Sequence, residues 1–247
     1  MPDAPDLRPS RARSCLVALA ELEPWQSWLD EAWSLLDPIE RSRVVHRRQA
    51  TDREALTIAY ALHRMVIAGV LGIAPADVPL ARDERGCPCL PGMSLHTSLS
   101  HAEGVAAFAV CAMGPVGIDI EPSLRACELP QVSTSVCHSA EARLLAGMRE
   151  PHYSHELLAL WVRKEALLKA EGIGLEREMT SFVAADGAIV PLTASAAGSS
   201  GPVRLSMLEI GPRWTAAVAA PVDAVLEGAW LRPVGGRVVV EPALYMS

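Results

Sequence analysis

Lysine is almost missing from this chain: 247 residues contain two, Lys164 and Lys169, against 20 arginines. Where arginine serves for nearly every positive charge, lysine survives mainly at positions that want a compact ammonium instead of a planar fork. Both lysines fall in one segment, Trp161-Val-Arg-Lys-Glu-Ala-Leu-Leu-Lys-Ala-Glu-Gly172. Aromatics are few, at 4%, so the core has to be built mainly from Leu, Val, Ala and tryptophan, and the length is ample for burying one. Positive charge is not in excess. A net charge of −7 argues against a general nucleic-acid binder. No run approaches the roughly 18 consecutive apolar residues of a membrane span. The start, Met1-Pro-Asp-Ala-Pro-Asp-Leu-Arg-Pro9, is polar and unlike a signal peptide. Of the six cysteines only Cys87 and Cys89 are close-spaced, without a second pair at zinc-site spacing. The thiols therefore read as reduced and mostly buried in a cytoplasmic protein.

The lysine segment reads as a helix opening near Ser154 and closing at Gly172. At about 100° per residue, Leu157, Leu158, Trp161, Val162 and Leu168 share an apolar arc, and Glu165 and Lys169 project into it. An ordinary i,i+4 pair, worth roughly 0.3 kcal/mol, explains the spacing but not a place inside an apolar face. That placement points to ligand chemistry. Lys164 falls nearer the edge of the arc, so Lys169→Arg is expected to be the more damaging exchange.

Elsewhere, residues 1–13 read as a frayed arm. Residues 24–72 carry helical patterns around Trp25, Trp28, Leu29, Trp33 and Leu36, and again over 55–70. Between them runs a basic stretch that includes Arg43, Arg47, Arg48 and Arg53. Strands are expected at 93–99, 105–112 and 116–121, then helices from 139 and over the lysine segment. Strands follow at 182–183, 189–192, 203–210, 214–220 and 229–231, with a flexible connection at 193–202. Trp214-Thr-Ala-Ala-Val-Ala-Ala220 echoes Val105-Ala-Ala-Phe-Ala-Val-Cys111. The expected class is α+β: two similar halves in a pseudo-dimer, 1–115 and 116–247, each a small antiparallel sheet packed with helices.

Gly117-Ile-Asp-Ile-Glu121 is the second informative string. In an extended strand Asp119 and Glu121 share one face and Ile118 and Ile120 the other. Two neighbouring carboxylates repel unless a cation lies between them, and Mg²⁺ typically takes one or two protein carboxylates and leaves room for phosphate oxygens. Glu141, in the first turn of the next helix, is a candidate third acid. Ser98-Leu-Ser100-His101 closes a strand with hydroxyls and an imidazole, suited either to an anion or to its own turn. A Ser/His hydrolase fits poorly, because no Gly-x-Ser-x-Gly elbow is present. Together these strings describe a site for a phosphoanhydride.

Gly117–Glu121, together with Trp161, Lys164, Glu165, Lys169 and Gly172, resembles the motifs of the 4′-phosphopantetheinyl transferases of the surfactin-synthetase-activating type. Ser100-His101 is similar to that family's Ser-His dipeptide. The resemblance spans about residues 98–175. It implies two similar α+β halves with coenzyme A, the substrate, in the cleft between them. The implied reaction is transfer of phosphopantetheine to a serine of an apo acyl or peptidyl carrier protein, with release of 3′,5′-ADP. Carried over by position, Asp119, Glu121 and Glu141 hold Mg²⁺, Glu165 is the base, and Lys164 and Lys169 neutralise the pyrophosphate. Ser100 and His101 contact coenzyme A phosphates, and Arg43, with Arg53, meets the 3′-phosphate. Where the family has Gly-Lys-Pro or Gly-Arg-Pro this chain has Gly86-Cys87-Pro88, and Arg85 is the candidate substitute for the missing cation. A Mg²⁺-dependent nucleotide phosphohydrolase and a non-catalytic carrier-binding domain are the alternatives. The expected protein is a monomer that engages neither membrane nor nucleic acid.

Overall fold

The computed structural model describes residues 1–173, 176–192 and 201–243. The 193–202 connection thus lies largely outside the described residues. In chain order the elements are β1 (Ser14–Glu21), α1 (Leu29–Leu35), α2 (Pro38–Val45), α3 (Ala50–Leu71), β2 (Ala81–Arg82), β3 (Pro88–Cys89), β4 (His96–Ala102), β5 (Val105–Cys111) and β6 (Gly117–Pro122). Then follow α4 (Ser133–Val136), α5 (Ser139–Leu145), α6 (His152–Glu171), β7 (Ile189–Val190), β8 (Val203–Leu208), β9 (Trp214–Pro221), β10 (Val225–Val234) and β11 (Arg237–Pro242). The class is α+β, with largely antiparallel sheets. One sheet runs β11-β10-β1-β5-β4 and another β6-β9-β8-β7, with a small β2-β3 hairpin beside them.

Side-chain alternation stacks these parts in four layers. On β1 and β5, Leu16, Ala18, Ala20, Ala106 and Phe108 pack against Ile58, Leu62 and Met65 of α3. The alternate residues Cys15, Val17, Leu19, Val105 and Ala107 meet Ile118 and Ile120 of β6 and Val218 of β9. The far face of the second sheet, through Leu205, Ala217 and Ala219, carries Val162, Ala166 and Leu167 of α6. The order is therefore α3, sheet, sheet, α6, and β6 presents its isoleucines inward and Asp119 towards α6. By length and hydropathy α3 is apolar enough to cross a membrane, yet 78% of that window is buried in the protein. It is a core helix.

Three parts of the chain depart from the sequence reading, the first being 182–183, where no strand forms and Phe182 instead caps a short turn over Met179–Ser181. The arm at 1–13 is docked: Leu7 is buried and its N–H donates to the carbonyl of Gly69 at 3.2 Å. A Cβ on Gly69 would lie 2.3 Å from the Pro5 carbonyl, so glycine lets the arm lie on α3. The last strands do not stay with residues 116–221. β10 pairs in parallel with β1, Ser14 opposite Val225 and Leu19 opposite Trp230, and β11 extends that sheet. The single pattern match at 229–231 marks the middle of a ten-residue strand.

The α3–sheet layer also buries an imidazole. His63 is fully enclosed, its Nε2 2.6 Å from Thr97 Oγ1. That hydroxyl donates to the Ala109 carbonyl at 3.1 Å, so Nε2–H is the donor to Thr97. Burial first, then the charges of Arg82 and Arg64, push His63 down to about 3, against about 6.5 in an unfolded chain. Between those values the unfolded chain binds a proton the folded one refuses. Stability therefore falls as pH drops through this window, by a total on the order of 5 kcal/mol. A His63→Gln protein should lose that part of the slope when urea midpoints are compared from pH 7 to pH 4. Parallel pH profiles for the two proteins would contradict the assignment.

Candidate functional site

The site forms where β4, β6 and α6 meet. Ser98 Oγ accepts the Ile118 N–H at 3.2 Å, which stitches the edge of the first sheet to the edge of the second. Two residues on, Ser100 Oγ donates to Asp119 Oδ1 at 2.7 Å. From the opposite side Lys169 Nζ reaches the same oxygen at 2.7 Å. Gly117 sets this spacing. A Cβ there would lie 1.9 Å from the Ala166 carbonyl oxygen and 2.5 Å from the Ala170 nitrogen. Glycine brings the α6 backbone onto the strand, and with it Glu165 and Lys169 face Asp119 and Glu121. The helix ends at Gly172 in the left-handed region, φ 68°, as a glycine C-cap requires.

The electrostatics are those of acids crowded out of water. Asp119 is buried, and its second carboxylate oxygen, Oδ2, is enclosed with no hydrogen-bond partner. Burial and the charge of Asp119 push Glu121 up to about 7, against the pull of Arg125 and Lys169. Glu165 is raised by burial and then by Asp119. Arg125 pairs with Glu121 and lies over the Trp161 ring at 5.2 Å. Among the described residues no set of three His, Cys, Asp or Glu side chains is already drawn together as a metal cage. Cations of the protein occupy the carboxylates instead.

A cavity of about 560 Å³ runs from Asp119 and Glu121, past Ser100 and His101, to Arg43, Arg82, Gly86 and Cys87, and Glu165 does not line it. His101 is held down to about 4, mainly by burial and then by Arg47 and Lys169. Its imidazole is therefore neutral at pH 7, a hydrogen-bonding group in place of a fixed cation.

Other predicted residues stand elsewhere. Lys164 is fully buried. Its Nζ donates to the carbonyls of Val136, Met179 and Phe182 at 2.8, 2.6 and 2.8 Å and pairs with Glu141 at 2.6 Å. Glu141 also accepts the N–H groups of His138 and Ala184, each at 2.8 Å. The two residues saturate one another away from the cleft, which corrects the reading of Lys164 as a pyrophosphate ligand and of Glu141 as the third acid. The helical wheel placed Lys164 at an edge because it could not show α4 and the segment 179–184 closing over it. Arg53 donates to the carbonyls of Arg47 and Arg48 and lines a separate groove. Arg85 pairs with Glu176 at 3.2 Å and does not line the cleft, whereas Arg82, which no motif marked, does. Only the missing cation at position 87 hinted that another arginine was needed.

Paired strand carboxylates, a facing Glu and Lys on one helix, and a long cleft with arginines at its far end are chemically suited to a phosphate-bearing ligand. Residues 115–218 match the family model of the 4′-phosphopantetheinyl transferase superfamily. It is 25% identical over 193 residues to 4′-phosphopantetheinyl transferase Sfp of Bacillus subtilis, covering 76% of this chain and 83% of the relative. It is 26% identical over 160 residues to 4′-phosphopantetheinyl transferase HetI of Nostoc sp., covering 63% and 68%.

Proposed function

We propose that this cleft binds coenzyme A and transfers its 4′-phosphopantetheine to a serine of an apo carrier protein, releasing 3′,5′-ADP. The observation that carries the reading is the Asp119 carboxylate, held by Ser100 and Lys169 with its other oxygen buried and unpartnered. An enclosed carboxylate oxygen without a donor, beside two further acids with raised pKa values, fits a hard cation such as Mg²⁺. Asp119 and Glu121 would hold it. Bound Mg²⁺ would offset pyrophosphate charge and polarise the reacting phosphoryl group.

The chain's own residues supply the rest. Lys169, partly exposed beside Asp119, neutralises the diphosphate as the bond to ADP breaks. Neutral His101 donates a hydrogen bond to the phosphates, while Ser100 keeps its hydroxyl proton on Asp119. Glu165 accepts the proton of the carrier serine, a task that suits a carboxyl raised towards the working pH. Displacement at the β-phosphate is then a matter of positioning and charge, as phosphoryl transfer generally is.

The two halves are taken as similar. Each lays one long helix, α3 or α6, on a sheet whose inner strand is alanine-rich, β5 or β9. That similarity supports a pseudo-dimer with the cleft at its seam. The protein is likewise taken as a monomer working in the cytoplasm. Intact-mass measurement of apo acyl and peptidyl carriers incubated with coenzyme A and Mg²⁺ is expected to show addition of phosphopantetheine, lost on chelation. Release of 3′,5′-ADP with no acceptor present, and no mass gain on any carrier, would favour a phosphohydrolase instead.

A further inference from the structure

We propose that Arg125 is a resident counter-cation of Glu121, one that a divalent metal ion must displace, and that the face of Trp161 is the seat on which the displaced guanidinium waits. The inference rests on the metal reading above. The two carboxylates of β6 are not equally available. Asp119 has Ser100 and Lys169 on Oδ1 and keeps Oδ2 buried and unpartnered, so a cation can take that oxygen without dislodging anything. Glu121 differs. Arg125, four residues on, stands on its carboxylate, and a hard divalent ion and a guanidinium on one carboxylate repel each other at close range. Glu121 is therefore the ligand at which entry of the metal is contested.

The surroundings show which part gives way. The backbone that carries Arg125, a short 3₁₀ helix over Ser123–Val132, is fixed at several points. The Ser123 N–H donates to the Arg213 carbonyl at 2.9 Å, and the Ser123 and Thr215 hydroxyls lie 3.1 Å apart. Ala126 and Leu129 are buried in one cluster with Leu157 and Leu158 of α6. What moves is then a side chain and not the helix. The Glu121 side chain is mostly enclosed, whereas about a third of Arg125 is open to solvent. An enclosed carboxylate is costly without a partner, but a guanidinium already in water can leave one with little change in hydration. The Trp161 ring, 5.2 Å from its Cζ, keeps the released cation beside the site, because arginine both pairs with carboxylates and stacks on aromatic faces. From there it returns to Glu121 when the metal departs. The exchange keeps Glu121 neutralised throughout and holds metal affinity low enough for release. Arg125 is thus a positioning residue for the metal, acting through Glu121.

The test is titration of the full chain with Mn²⁺ alone, an ion suited to oxygen ligands, at pH 8 and without coenzyme A, free Mn²⁺ being read by electron paramagnetic resonance. Arg125→Gln should bind Mn²⁺ about tenfold more tightly than the unaltered protein, the worth of one hydrogen bond to a charged group. Arg125→Lys restores the charge and should bind as the parent does. An arginine that served the fold alone would not order the three proteins in this way. Urea midpoints check that each protein folds, and should Arg125→Gln fail to fold, Arg125→Met carries the same expectation. The indole gives a second readout. Mg²⁺ should change the tryptophan emission of the parent, and the change should be absent from Arg125→Gln and from Trp161→Phe, which keeps a ring without the emission. Equal or weaker Mn²⁺ binding by Arg125→Gln would overturn the proposal and leave the transferase reading standing. No Mn²⁺ binding by any of the proteins, with coenzyme A or without it, would remove the metal reading and the proposal with it.

Discussion

Replacing Gly117 with alanine is expected to abolish transfer and to destabilise the protein by about 3 kcal/mol, at the upper end of overpacking costs. The added methyl would sit 1.9 Å from the Ala166 oxygen and 2.5 Å from the Ala170 nitrogen. Both are backbone atoms of α6, so no rotamer change relieves the clash and the helix itself must back away from β6. Lys169 and Glu165 ride on that stretch of helix, and the 2.7 Å contact between Lys169 and Asp119 is the first to lengthen. A shift of one ångström in such a constellation is enough to cost orders of magnitude in rate. The substitution therefore couples packing to chemistry at one atom. Urea unfolding and the carrier mass assay, run on the same preparation, check both halves of the expectation. Normal stability with a normal rate would mean that α6 does not lie on Gly117.

The same glycine shows what the sequence made legible. Gly117, Asp119 and Glu121 were readable because strand alternation and spacing are local properties. The facing of Glu165 and Lys169 was readable because charges set inside an apolar arc must meet something polar across the interface. What stayed hidden depends on partners remote in the chain. The docking of the arm rests on Leu7 meeting Gly69. The return of β10 to β1 joins segments about 210 positions apart. The convergence of Arg43 and Arg82 on the Gly86 carbonyl depends on the shape of the turn there. None of these leaves a periodic mark. Glu141 was misread for the opposite reason. It was named a candidate third acid from its place in a first helical turn, where acids are common for other reasons, and its carboxylate is committed to Lys164 and two backbone N–H groups.

Lys164→Met is expected to cost about 3–5 kcal/mol in stability, the penalty for stranding one member of a buried ion pair. The ammonium has no exposed surface, and three carbonyls and one carboxylate surround it. Its removal leaves Glu141 charged in a dry site and frees α4 and the segment 179–184, which that nitrogen's bonds tie together. Arginine should not rescue it. A planar fork is longer and wider than an ammonium, and four oxygens already crowd the point where it would end. Lys169 is in a looser place, with about a quarter of its side chain open to solvent, so Lys169→Arg should fold normally and lose rate. The two exchanges thus separate by readout: Lys164 variants should shift the urea midpoint, and Lys169 variants the rate of carrier modification at unchanged stability. That ordering reverses, for stability, the one expected from the helical wheel. A Lys164→Arg protein that unfolds at the same urea concentration as its parent would show that the carbonyl cage does not need a compact charge. The near-absence of lysine from this chain would then say nothing about position 164.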